Sequence, residues 1–113
     1  MNTTAFTDIR AWLVQRVSAV AILAFLVFAL ASFWLRAPAG YAEWRSRFEN
    51  PALQVATLAF SAALLAHVWV GLRDVLLDYA RPAALRRFLL GALAAVLVGL
   101  AVWTLAIVLP LAA

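Results

Sequence analysis

The chain has 113 residues, of which 68% are hydrophobic and 12% charged, with a net charge of +4 and no cysteine. A soluble domain carries roughly 45–50% apolar residues, so a chain this short cannot hide that much apolar surface by itself, and the bilayer has to be its solvent. The missing thiols exclude disulfides, thiolate zinc sites, iron–sulfur ligation by this chain and cysteine nucleophiles, and the nine basic residues, all arginine, punctuate apolar runs in a way that argues against nucleic-acid binding.

Residues 1–10 are short and polar and are expected to be loosely ordered outside the membrane. They lack the basic start and cleavage site of a signal peptide, so the first span is expected to be retained. Thr7 and Asp8 are candidate caps, since a short oxygen side chain accepts the free N–H groups of a first turn.

A first span is expected over 12–35. Its only polar side chains after Val17 are Ser18 and Ser32, whose hydroxyls can bond back to the helix. Trp12 and Trp34 stand near its ends as interfacial anchors. Arg16 starts the span, either snorkelling to the headgroups or holding an anion at the membrane edge.

Residues 36–50 form a loop broken by Pro38 and Gly40. Tyr41, Trp44 and Phe48 recur at helical spacing, so a short amphipathic helix on the membrane surface is expected there. A second span is expected over 52–77, with Pro51 suited to a first helical position. A third is expected over 88–111, in which Gly91 and Gly99 offer close helix approach.

Three spans place the termini on opposite sides. Arg10, Arg16, Arg73, Arg81, Arg86 and Arg87 fall on one side, and Arg36, Arg45 and Arg47 on the other. The positive-inside rule then puts the N-terminus in the cytoplasm and the C-terminus in the periplasm.

The second span carries the only histidine, His67. An ionisable group inside a membrane span is costly and is a functional-site candidate for that reason. At about 100° per residue, Ala56, Phe60, Ala63, His67, Gly71, Asp74 and Asp78 share a narrow face of mostly small residues. Gln54, Thr57 and Ser61 make a polar stripe on roughly the opposite side. A helix with two such faces is expected to pack on both, one of them against a partner or a bulky ligand.

A neutral imidazole is a good axial ligand for haem iron, and Ala63 and Gly71 leave room for a flat macrocycle. The other reading is an imidazole hydrogen-bonded to a carbonyl or to another helix. A single histidine cannot supply both ligands of a bis-histidine haem. Asp78 and Tyr79 follow about three turns later. A tyrosine hydroxyl with an acid beside it suits a quinone carbonyl; an interfacial tyrosine with an arginine-paired aspartate is the alternative.

Together, His67-x-x-x-Gly71, Asp78-Tyr79-x-Arg81-Pro82 and Arg16-x-Ser18-Ala19 in a three-span chain resemble the hydrophobic membrane-anchor (D-type) subunits of bacterial succinate dehydrogenase, respiratory complex II. The resemblance covers nearly the whole chain; Arg73-Asp74 in the turn after Gly71 departs from some relatives.

It implies an all-α membrane protein whose three transmembrane helices form part of a heterodimeric helical bundle. Residues 1–113 would form a single anchor domain, non-catalytic on its own, in the bacterial inner membrane. It implies His67 as the axial ligand to the iron of a haem b shared with the partner membrane subunit, and Arg16 near a haem propionate. Tyr79 would hydrogen-bond ubiquinone, with Asp78 supporting that site. The expected partners are the second membrane (cytochrome b) subunit, the iron–sulfur subunit and the flavoprotein subunit, with electrons passing from succinate to quinone within the tricarboxylic acid cycle and respiratory chain. The competing readings are a menaquinone-linked fumarate reductase anchor and a purely structural membrane adaptor. One ionisable residue inside the spans and unbroken helices argue against a transporter.

Overall fold

The computed structural model describes residues 3–112. It is all helical: α1 runs Thr3–Leu35, α2 Tyr41–Phe48, α3 Pro51–Tyr79 and α4 Ala83–Val108, followed by a 3-10 turn at Leu109–Ala112. Three stretches, Thr7–Leu35, Pro51–Tyr79 and Ala83–Leu111, are long and apolar enough to cross a membrane. The chain is a multi-pass membrane protein.

The helices outrun the expected spans. Residues 3–10, expected to be loose, are the first turns of α1, and Thr7 and Asp8 lie inside it instead of capping it. No glycine or proline interrupts the sequence before Pro38, and each residue added to a formed helix gains a hydrogen bond at little further cost. At the far end, Pro110 has no N–H to offer the carbonyl four residues back, and the α-helix gives way there to a 3-10 turn.

α3 is the central helix, packed against α1 on one side and α4 on the other. The less exposed residues of α1 are Ala11, Gln15, Ser18, Ile22, Phe25, Ala29, Ser32 and Phe33. Up to Ser32 they follow an alternating spacing of four and three, the seam of helices crossing at a shallow angle. Phe25 stacks on Phe60 of α3 with ring centroids 4.4 Å apart. The bulky residues Leu23, Val27, Leu30 and Trp34 point away from the seam.

Gly91 and Gly99 are exposed, and a Cβ at either would meet nothing within 4 Å. They do not serve helix approach within this chain. Among the described residues only Ser18, Gln54, Val70 and Val108 are buried. Three helices in a layer have no interior of their own, and lipid or protein has to cover the remaining apolar surface.

The α2 end is closed by short-range bonds. The Asn50 side chain accepts the Ala52 N–H at 2.9 Å, with Pro51 in the first turn of α3. Buried Gln54 reaches back to donate to the Phe48 carbonyl at 2.9 Å. Glu43 accepts the Ala39 N–H at 3.0 Å and pairs with Arg47 at 3.3 Å. Arg47 also donates to the Arg36 carbonyl and lies over the Phe33 ring. The Glu43 carboxyl is held below its ordinary value, first by the Ala39 N–H and then by the Arg47 side chain.

Candidate functional site

His67 sits past the middle of α3 and is half-buried. Its face, read from the sequence as mostly small, is the face on which α1 lies. The Phe25–Phe60 stack lies about two turns to one side of the histidine. On the other, Gly71 lets Gln15 come close: a Cβ there would stand 3.4 Å from Gln15 Nε2. Between them Ser18 Oγ lies 3.0 Å from His67 Nδ1. This is a cross-helix hydrogen bond between residues 49 apart in sequence.

α4 packs on the other side of α3, where Leu65, Ala66 and Trp69 face Ala94, Leu97 and Ala101. The polar stripe is satisfied within the chain: Thr57 and Ser61 donate to carbonyls one turn back, at 2.8 and 2.9 Å, and Gln54 closes the loop. α1 therefore lies on the histidine face, and the hydroxyls of the polar stripe bond to their own helix. What remains open is a crease between α1 and α3 beside the histidine, lined by Leu13, Val14, Val17, Ser18, Ala21, Ala63 and Ala66, with a volume of about 370 Å³.

The other candidates do not gather around His67. Arg16 lies two residues before Ser18 and so about 160° around α1 from it. It is exposed, with its guanidinium 5.4 Å from the Trp12 ring centroid. Tyr79 closes α3 about 18 Å of helical rise beyond His67 and is 81% exposed. Asp78 is exposed beside it, and neither makes a hydrogen bond among the described residues. Arg73 pairs with its neighbour Asp74 at 3.5 Å, which leaves Asp78 free of the arginine pairing considered for it.

The sequence reading missed two residues. Ser18 was read as bonding only to its own helix, and Gln15 was not singled out. Both signals were present: Gln15, Ser18 and Ser32 fall on one stripe of α1, and polar side chains in an apolar span mark the face turned from lipid.

The chemistry of the donors fits a haem better than a metal centre of the chain's own. No group of three or more metal-ligating side chains occurs among the described residues. What is present is one imidazole bonded through Nδ1, with its second nitrogen uncommitted among the described residues, next to an apolar crease lined by leucine, valine, alanine and Ser18 side chains. Were a haem held here, His67 could offer one axial ligand and the other would have to come from elsewhere.

Three long apolar helices with a single half-buried histidine define a helical, multi-pass membrane protein. The succinate dehydrogenase/fumarate reductase transmembrane subunit family matches residues 4–109, and the chain belongs to that family. The succinate dehydrogenase hydrophobic membrane anchor subunit of Coxiella burnetii is 27% identical over 105 residues, spanning 93% of this chain and 91% of the relative.

Proposed function

We propose that the protein is the membrane anchor of a succinate:ubiquinone oxidoreductase, non-catalytic alone, binding a second membrane subunit and holding the iron–sulfur and flavoprotein subunits at the bilayer. The observation that carries this reading is His67. It is the only histidine of a chain in this family, and it is fixed by Ser18 beside an open apolar crease.

His67 supplies one axial ligand to a haem b, whose second ligand comes from the partner membrane subunit. Bound there, the haem supplies a one-electron centre within the membrane. Exposed Arg16 would offer its guanidinium to a haem propionate. Tyr79 donates a hydrogen bond to a ubiquinone carbonyl at the end of α3, and Asp78 orients that site or passes it a proton. The arginine distribution places this end at the cytoplasmic face of the bacterial inner membrane, next to soluble subunits that hold the clusters this cysteine-free chain cannot.

The test is His67→Ala in the assembled complex. The reduced-minus-oxidised haem b spectrum is expected to vanish; an undiminished spectrum with the complex intact would sink the ligand assignment.

A further inference from the structure

Resting on His67 as an axial ligand, we propose that Ser18 is its positioning residue: the Ser18 hydroxyl holds the His67 Nδ1–H and thereby leaves Nε2 bare for iron. The argument is a count of hydrogens. The Ser18 hydroxyl carries one. Its oxygen lies 3.2 Å from the Gln15 carbonyl and 3.0 Å from His67 Nδ1.

Elsewhere in the spans the hydroxyls of Thr57, Ser61 and Thr104 all donate to a carbonyl of their own helix, at 2.8 to 2.9 Å. A hydroxyl in an apolar span has no water to turn to, and the preceding turn is its standing acceptor. With the Ser18 hydrogen given to Gln15, three residues back at a longer 3.2 Å, the oxygen has only lone pairs left for the ring. The contact to His67 is then a hydrogen bond only if Nδ1 carries the proton. A neutral imidazole has one ring proton, so Nε2 carries the lone pair.

The geometry has little freedom to drift. Ser18 is 6% exposed. The Phe25–Phe60 stack and the Gln15–Gly71 approach bracket the bond about two turns and one turn away along the seam. An imidazole whose N–H is held by an acceptor is a more basic ligand, which favours ferric over ferrous iron and lowers the haem potential.

The experiment compares native, Ser18→Ala, Ser18→Thr, Ser18→Val and His67→Ala complexes. It reads the haem midpoint potential by redox titration, the ferric low-spin electron paramagnetic resonance signal, and haem retention on dilution in detergent. Ser18→Ala is expected to shift the potential in the positive direction, alter the ferric signal and weaken haem retention roughly tenfold or more. Ser18→Thr, which keeps the hydroxyl, should restore all three. If Ser18→Ala does not assemble, the near-isosteric Thr and Val variants carry the comparison, since they differ in the hydroxyl alone.

A Ser18→Ala or Ser18→Val complex that matches the native one in potential and retention would overturn the positioning role, as would a Thr variant indistinguishable from Val. The ligand assignment stands in either case if His67→Ala has lost the haem. A His67→Ala complex that keeps its haem overturns both.

Discussion

The two ends of the α1–α3 pair are built differently. At the α2 end the polar side chains close on one another: Asn50 on Ala52, Gln54 on Phe48, Glu43 on Ala39 and Arg47, and Arg47 on Arg36. At the Arg73 end the closure is less complete, although Arg73 pairs with Asp74 and Ser18 with His67. Among the described residues, buried Gln15 Oε1 and Arg73 Nε have no hydrogen-bond partner. Arg16, Asp78 and Tyr79 are exposed. Unpaired buried polar atoms cost about 1–3 kcal/mol each, so a chain keeps such groups where something outside it completes them. One end is closed by its own hydrogen bonds, and the other keeps buried polar atoms unpaired within the chain.

The comparison is sharpest at Gln54. Ser18 changes are expected to move the haem, whereas Gln54→Leu strips the part-buried Phe48 carbonyl of its donor. It should cost roughly 1–3 kcal/mol of stability, read as a lowered thermal midpoint of the solubilised complex, with the haem potential unmoved. A shifted potential would mean that the two ends are coupled and the division is wrong.

At the other end, Tyr79→Phe removes one neutral hydrogen bond, worth about 0.5–1.5 kcal/mol. Succinate-driven quinone reduction should fall roughly two- to tenfold at limiting quinone, while reduction of an artificial acceptor and thermal stability stay at native levels. Equal activity with quinone would reduce Tyr79 to an interfacial anchor.

Asn50→Ala removes a helix cap and is expected to cost about 1 kcal/mol, again as thermal stability without change in the haem spectrum. Gly71→Ala should be nearly silent. Its new Cβ meets the far end of the flexible Gln15 side chain at 3.4 Å, which can turn aside. Gly71→Leu, with no such room, should loosen α1 from α3 and the haem with it.

The smallest effect belongs to Glu43. Its carboxyl titrates below the ordinary 4.5, so the clamp on Ala39 is complete at neutral pH and is lost as pH falls through that lowered value. At neutral pH Glu43→Ala should speed amide exchange at Ala39 relative to the native protein. The two should converge in acid, once the native carboxyl is protonated. A difference that persists there would assign the protection to something other than the carboxylate.

Much of the architecture was legible in the residues. Pro51 marked the start of α3, and helical spacing put His67, Gly71 and Phe60 on one face. Helix ends were less legible. Propagation through residues 3–10 depends on the absence of breakers more than on any signal, and the polar look of that stretch was misleading.

The sequence alone determined that three helices cross a membrane, because apolar runs of that length can satisfy their backbone in lipid only as helices. It also determined that a single imidazole lies within them. It did not determine what that imidazole touches. The bond to Ser18 depends on how α1 is rotated about its own axis, and that rotation is set by the shallow seam through Gln15, Ser18 and Phe25 packing onto Gly71, His67 and Phe60. Only the packed pair of helices decides it, because in an isolated span every rotation is equally solvated by lipid.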